Sequence, residues 1–177
     1  MPTERDGRGP GTGDLSHLVR TGAEGQGEGG FASRMVDVGG KAATAREAVA
    51  RALVRFPPGV LEVVLAGGGP KGPVTEVART AGILAAKRTS EWIPLCHVLP
   101  LDAVDVDFEP LEADVLEIRC RAACTGRTGV EMEALVGAST AALTVYDMAK
   151  ALDHGIRIEA VELLEKRGGK SGTWRRD

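Results

Sequence analysis

The spacing of apolar and polar positions predicts short helices and strands from residue 44 onward. Thr44 suits a helix cap, and the apolar residues Val49, Leu53 and Phe56 recur behind it at helical spacing. An extra N-terminal helix is therefore predicted, ending at the prolines that follow. Residues 60–66 form a β-branched apolar run, which is typical of a buried strand.

The rest of the chain shows longer and more regular patterns. The predicted elements are, in order, a helix at 74–89, an irregular segment at 90–100, alternating strands around 104–108 and 116–120 joined as a hairpin, a helix at 131–153 and a strand at 156–164. Without the first helix, this order is β-α-β-β-α-β. It predicts a ferredoxin-like α+β fold, with an antiparallel sheet and its helices on one face.

The glycine content separates an N-terminal segment from the remainder. Nine of the 24 glycines lie in the first thirty residues, among scattered charges and few large apolar side chains. Such a segment buries too little surface to offset the entropy of ordering it. We expect residues 1–33 to be flexible, apart from a short apolar patch at 15–19, and residues 34–177 to form a single catalytic domain.

Composition narrows the class of protein. The net charge is −3 and aromatic residues make up only 3% of the 177 residues, which disfavours a nucleic-acid-binding surface. No apolar stretch is long enough to span a membrane and the N-terminus lacks a secretory signal, so we expect a cytoplasmic protein without membrane contacts. The three cysteines indicate reduced thiols rather than disulfides.

Two lysines and one aspartate have spacings that suit chemistry. Asp147 and Lys150 lie three residues apart on the long predicted helix and share one face. Such a pair can transfer protons, or it can be a solvated ion pair, which is the commoner case. Lys71 lies in a loop of glycines and prolines ahead of a predicted helix, where phosphates bind well.

Other polar residues have two interpretations each. Glu131 and Glu133 either complement the helix dipole or accept hydrogen bonds from a purine or pterin ring. Lys170 either contacts phosphate or belongs to a mobile tail. Cys96 and His97 are adjacent but have no second cluster at metal-site spacing, so no metal site is predicted, and His97 stays available as a substrate ligand or proton donor.

Several motifs in register resemble the cyclic pyranopterin monophosphate synthase family of molybdenum-cofactor biosynthesis. The matching segments, which run from residue 34 to 172, are Met35-Val36-Asp37-Val38, Lys41 with Ala45-Arg46-Glu47-Ala48, Ala78-Arg79, Ala81-Gly82-Ile83, Ala85-Ala86-Lys87-Arg88-Thr89, Ile93-Pro94-Leu95-Cys96-His97, Thr128-Gly129-Val130-Glu131-Met132-Glu133-Ala134-Leu135, Ala142-Leu143-Thr144-Val145-Tyr146-Asp147-Met148 with Lys150, and Gly168-Gly169-Lys170-Ser171-Gly172.

The resemblance implies a lyase that converts (8S)-3',8-cyclo-7,8-dihydroguanosine 5'-triphosphate, a GTP-derived nucleotide, to cyclic pyranopterin monophosphate and pyrophosphate. It implies no required cofactor, although a divalent metal can accompany the triphosphate, and a homo-hexamer (a trimer of dimers) with active sites at subunit interfaces. The implied catalytic residues are Asp147, Lys71 and Lys150. The implied substrate-binding residues are Lys41, Arg46, Lys87 and Lys170 for the phosphates, and Leu95, Cys96, His97, Glu131, Met132 and Glu133 for the ring system.

The chain departs from the family pattern around Lys71 and at Arg127. The family usually has histidine before the loop lysine and aspartate two residues after it, where this chain has Pro70 and Pro73. Arg127 stands where lysine is frequent, which keeps the charge but changes the geometry.

Two other functions compete with the lyase. An altered Lys71 loop would suit a catalytically degenerate protein that binds a nucleotide or pterin as a regulator. An RNA-binding ferredoxin-like domain is the third hypothesis, but the two middle strands lack the aromatic side chains that such a surface needs.

Overall fold

The computed structural model describes residues 19–21, 30–67, 69–170 and 172–177. The chain forms two compact units, Met1–Asp37 and Val38–Asp177. In the first unit, strands β1 (Val19–Thr21) and β2 (Gly30–Ala32) pair antiparallel. Most of the segment predicted to be flexible, with residues 15–18 of its apolar patch, lies outside the described residues, and its flexibility stays a prediction.

The second unit is built on an antiparallel sheet of five strands. These strands are β3 (Thr44–Arg55), β4 (Ala103–Glu112), β5 (Val115–Gly126), β6 (Arg157–Arg167) and β7 (Trp174–Arg175). Their spatial order is β4-β5-β3-β6-β7, and every neighbouring pair is antiparallel. The central strand β3 therefore lies between the hairpin strand β5 and the C-terminal strand β6.

Two long helices cover one face of this sheet. The helices are α1 (Val60–Leu65), α2 (Val74–Ala86), α3 (Thr89–Trp92) and α4 (Glu131–Ala149). Helix α4 packs on β3, β5 and β6, while α2 packs against α4 and β4. The strands β3, β4, β5 and β6 with helices α2 and α4 give the predicted β-α-β-β-α-β order, so the ferredoxin-like α+β fold is confirmed.

The two elements ahead of α2 are the reverse of those predicted. Residues Thr44–Arg55 are the first strand and not an extra helix, and Val60–Leu65 is a helix and not a strand. Inward-facing alanines hid the alternation, because alanine favours helices in isolation. Burial nevertheless alternates along β3, where Ala48, Ala50 and Ala52 are fully buried.

The helices end earlier than the periodicity predicts. Helix α2 stops at Ala86 rather than residue 89, and α4 stops at Ala149 rather than residue 153. The predicted hairpin is confirmed, although its strands extend further toward the turn than expected. Within the described part of the chain, no helix has the length and apolar character that crossing a membrane requires.

Small residues let α4 approach its neighbours closely. A Cβ on Gly82 would lie 2.9 Å from the carbonyl oxygen of Gly137, and a Cβ on Gly137 would lie 2.5 Å from the Cys120 sulfur. Alanines of α4 meet the alanines of β3 in the same core. Because the interior is close-packed, there is little room for a larger side chain at these positions.

We predict that enlarging Ala50 destabilises the protein. Ala50→Leu inserts a bulky side chain between β3 and α4, and it should lower the free energy of unfolding by about 1–3 kcal/mol. Ala45→Leu is the matched control, because Ala45 is exposed on the same strand. Urea denaturation measures both variants. Equal stability of the two variants would show that the α4–β3 contact is looser than described.

Candidate active site

A cationic pocket lies at one end of the sheet, with a cavity volume of about 580 Å³. It is lined by the beginning of β3 and its preceding loop, the segment after β5, the first residue of α4 and the end of β6. The charged residues in its lining are Lys41, Arg46, Glu47, Arg127, Glu131, Lys166, Arg167 and Lys170. The set contains six basic side chains and two carboxylates, so the pocket suits a multiply charged anion.

The sheet register brings these distant residues together. Thr44 at the start of β3 pairs with Gly126 at the end of β5, so residue 127 and its successors follow directly beside it. On the other side of β3, Glu47 pairs with Arg167 at the end of β6. Three segments far apart in sequence therefore converge because β3 is central and antiparallel to both neighbours.

The two carboxylates of the pocket form ion pairs with some of its basic side chains. Glu131 forms an ion pair with Lys166 at 3.0 Å between Oε1 and Nζ. Glu47 accepts a hydrogen bond from Nε of Arg121 at 2.9 Å and lies 3.8 Å from Arg167. Arg167 also pairs with Glu165. These pairs reduce the repulsion among neighbouring cations and orient their side chains.

The Arg46 side chain lies against the glycine turn that follows β6. Its guanidinium group is beside Gly169 and its Cδ atom is beside Gly168, and these glycines have φ values of 71° and 98°. Its Nε atom is buried and has no hydrogen-bond partner in the part of the chain that the structure describes. A buried donor without a partner is costly, and an anion in the pocket is a suitable acceptor.

A second group joins Lys71, Asp147 and Lys150 at the other end of α4. The Asp147 carboxylate accepts a hydrogen bond from Nζ of Lys71 at 2.7 Å on one oxygen and from Nζ of Lys150 at 2.7 Å on the other. Lys150 caps the C-terminus of α4 and Lys71 projects from the turn before α2, where Gly69 and Gly72 form a bridge. The side chains are about half exposed.

The two ammonium groups change the acidity of the aspartate. Hydrogen bonds from Lys150 and then Lys71 lower the pKa of Asp147 to about 2. The hydrogen bond to Asp147 in turn raises the pKa of Lys150. At neutral pH the group is therefore a carboxylate between ammonium ions.

A third group surrounds the buried carboxyl group of Glu133, in the first turn of α4. Burial raises the pKa of Glu133, and the nearby charge of Glu131 adds to this effect. Burial also raises the pKa of Cys96 and of Cys124, and the charge of Glu133 raises both further. The structure thus brings Cys96 from the irregular segment close to the start of α4, where Glu131 faces the pocket.

The predicted site residues therefore fall into separate places. Lys41, Arg46, Glu131 and Lys170 line the pocket, whereas Asp147, Lys71 and Lys150 form the second group. Glu131 and Asp147 are sixteen residues apart on α4, which corresponds to about 24 Å. One chain does not bring its pocket and its aspartate to the same small molecule.

The remaining predicted residues are outside the pocket lining. They are Lys87 after α2, Leu95, Cys96 and His97 in the irregular segment, and Met132 and Glu133 in α4. Lys87 and Leu95 are exposed, and the other four are at least partly buried.

Sequence reasoning missed Lys166 and Arg167 as pocket residues. The predicted last strand stopped at residue 164, whereas β6 continues to Arg167. The available signal was the pair Lys166-Arg167 directly before two glycines. A strand that ends in basic residues at a glycine turn places those residues at the end of the sheet.

Thiols and carboxylates of the described residues provide no metal centre. No three or more His, Cys, Asp or Glu side chains are grouped as metal ligands in that part of the chain. All three cysteines are free, as the sequence predicts.

A ferredoxin-like sheet that carries a polycationic pocket and a lysine–aspartate–lysine network has the features of an enzyme for an anionic substrate. Residues 35–169 match the model of the MoaC family. The chain belongs to this family.

Curated relatives resemble the chain over nearly its whole length. A protein of Novosphingobium aromaticivorans is 55% identical over 162 residues, which cover 92% of this chain and 97% of the relative. One of Chloroflexus aggregans is 53% identical over 164 residues, covering 92% and 94%. One of Thermomicrobium roseum is 56% identical over 165 residues, covering 93% and 94%. Each is named cyclic pyranopterin monophosphate synthase.

We predict that the carboxyl group of Asp147 titrates with a pKa of about 2. Because the pKa of Asp147 is lower in the folded than in the unfolded protein, its ion pairs stabilise the fold fully above the ordinary carboxyl pKa. This stabilisation is lost as the pH falls through the lowered pKa of the folded protein. Lys150→Met should raise the pKa, whereas Lys87→Met, which removes a cation at the far end of α2, should not. Carbon-detected NMR titration measures all three proteins. An ordinary carboxyl pKa in the unsubstituted protein would refute the network.

Proposed function

We propose that this chain is a cyclic pyranopterin monophosphate synthase of molybdenum-cofactor biosynthesis. It is a lyase that converts the cyclised dihydroguanosine triphosphate to cyclic pyranopterin monophosphate and releases pyrophosphate. The observation that carries the proposal is the Lys71–Asp147–Lys150 network, with both lysines 2.7 Å from the carboxylate. The family membership and the cationic pocket support it.

The triphosphate binds in the cationic pocket. Lys41, Arg46 and Lys170 contact the phosphates, and Lys166 and Arg167 extend the same positive surface. Cations around a leaving pyrophosphate stabilise the charge that develops as the phosphate–oxygen bond breaks. Because the pocket is preformed, this stabilisation needs little reorganisation during the reaction.

The ring system binds near the first turn of α4. The residues that border it are Leu95, Cys96, His97 and Met132. Glu131 and Glu133 accept hydrogen bonds from ring N–H and amino groups. Lys87 supplies a further cation at the periphery. Burial raises the pKa of Glu133. The hydrogen-bond donors of a guanine-derived ring then favour its ionised form, which links ring recognition to proton release.

Asp147 acts as the acid/base residue, assisted by Lys71 and Lys150. In the free protein its pKa of about 2 makes it a weak base. A substrate phosphate that draws one lysine away removes part of the stabilising charge and raises this pKa toward the working range. Binding and base activation are thereby coupled, and the lysines are placed to support closure of the cyclic phosphate.

The active site is shared between subunits of a cytoplasmic homo-hexamer, a trimer of dimers. Within one chain, Glu131 at the pocket and Asp147 lie about 24 Å apart along α4. Reacting atoms must come within roughly 3–3.5 Å of one another. A second copy that places its Asp147 group at the pocket of the first satisfies both requirements.

The reaction needs no cofactor, because opening and rebuilding the ring, closing the cyclic phosphate and releasing pyrophosphate involve no net oxidation or reduction. A divalent cation that accompanies the triphosphate is the alternative. The pocket carries carboxylates at Glu47 and Glu131, but both are paired with basic side chains.

A catalytically degenerate regulator is not favoured. This alternative rested on the loop in which Pro73 takes the place of the family aspartate. Lys71 still donates its hydrogen bond to Asp147 at 2.7 Å. The substitution in the loop therefore leaves the network intact.

We predict that the protein turns over the cyclised dihydroguanosine triphosphate, and that Asp147→Asn lowers kcat by about 100- to 10,000-fold, the usual contribution of general acid–base catalysis. The assay follows pyrophosphate release and pyranopterin formation together. Asp153→Asn, beyond the end of α4, is the matched control. Substrate binding without product in the unsubstituted protein would establish the regulator instead.

We predict that two inactive variants complement each other. Asp147→Ala and Arg46→Ala proteins each lose activity, but a mixed assembly contains some sites with both residues intact. Random assortment of refolded chains should restore about one quarter of the unsubstituted rate. Mass spectrometry of the mixture checks the assembly. Mixed hexamers that stay inactive would contradict a shared site.

A further inference from the structure

The glycine turn after β6 supports Arg46 in a way that a larger residue would prevent. A Cβ built on Gly169 would overlap the Nη1 atom of Arg46, and Cζ and Nη2 would also be too close. The guanidinium group therefore rests directly on the Gly169 backbone. The neighbouring Gly168 has the aliphatic part of the same side chain beside it, with Cδ of Arg46 3.3 Å from its Cβ position.

The direction of the Arg46 side chain matters for the pocket. Arg46 lines the cationic pocket, and its Nε atom is buried with no hydrogen-bond partner among the described residues, so the side chain depends on other contacts to hold its direction. The sheet fixes its backbone, since Arg46 pairs with Cys124 on β5. The backbone position does not determine the direction of the Arg46 side chain, which is long and flexible.

We propose that Gly169 is a positioning residue that holds the Arg46 guanidinium toward phosphate in the pocket. This inference rests on the proposed function of the pocket and deepens it. In this role Gly169 acts through Arg46. The absence of a side chain at residue 169 is thus part of the phosphate site.

The geometry separates this role from general strain. The atoms that a Cβ at residue 169 meets are the far end of a flexible side chain, so Arg46 can swing away while the backbone stays. Gly172 offers the matched control. Its φ of 66° resembles the 71° of Gly169, but a Cβ there meets none of the described residues within 4 Å. Alanine at either position suffers the same backbone penalty, and only Gly169→Ala displaces Arg46.

The test is calorimetric titration with inorganic tripolyphosphate of the full-length protein and four variants. These are Gly169→Ala, Gly172→Ala, Arg46→Ala and the double variant Gly169→Ala with Arg46→Ala. Loss of a charge-assisted hydrogen bond should weaken binding about tenfold in Gly169→Ala and in Arg46→Ala. The double variant should bind no worse than Arg46→Ala, because residues that act as one unit are not additive. Gly172→Ala should bind like the unsubstituted protein.

Three outcomes would overturn the inference while leaving the pocket assignment intact: unchanged binding by Gly169→Ala, a loss that adds to that of Arg46→Ala, or an equal loss in Gly172→Ala. Failure of the unsubstituted protein to bind tripolyphosphate would remove the phosphate pocket and the inference together. Unfolding midpoints of the two glycine variants, measured in parallel, should agree with each other because their backbone penalties match.

Discussion

The close packing of α4 against both α2 and the sheet is the constraint on which the rest of the structure depends. Gly82 and Gly137 permit the contact between the helices, and the alanines of β3 permit the contact with the sheet. Because neither interface has room for adjustment, α4 is a rigid rod whose two ends have set positions. One end holds Glu131 at the pocket, and the other holds Asp147 between its lysines. The residues that we propose for ring recognition and for proton transfer are thus attached to a single well-buried element.

Electrostatic repulsion is the main cost of such a site. Six basic side chains share the pocket, and like charges at this density oppose folding unless they are compensated. Glu47 and Glu131 supply the compensation through Arg167, Arg121 and Lys166. The incomplete neutralisation is useful, because an anion that enters the pocket removes the remaining repulsion. A triphosphate bound in this pocket, as proposed, would therefore stabilise the fold.

The predicted elements agree with the structure better in the C-terminal part of the chain than in the region before α2. The hairpin β4–β5, helix α4 and strand β6 follow from patterns that are long and regular, and these were predicted. In the region 44–66, the sequence pattern predicts a helix followed by a strand, whereas the structure has a strand followed by a helix. The reason is that a strand whose buried face consists of alanines has a weak alternation of hydrophobicity. The buried residues of β3 are alanines because α4 packs closely on this strand, and that contact joins segments that are far apart in the sequence. Local propensity carries no information about such a contact.

By itself, the sequence determined the family and the ferredoxin-like α+β class, because ordered motifs and long, regular patterns can be read along the chain. It also supplied the charged residues that we propose for the site. The tertiary structure alone decided which of these residues meet. It united Lys41, Arg46 and Lys170 through the register of β3, added Lys166 and Arg167, and kept Asp147 at the far end of α4. It also placed the Arg46 guanidinium on Gly169. Such relations depend on strand pairing and helix packing, in which residues more than a hundred positions apart come into contact.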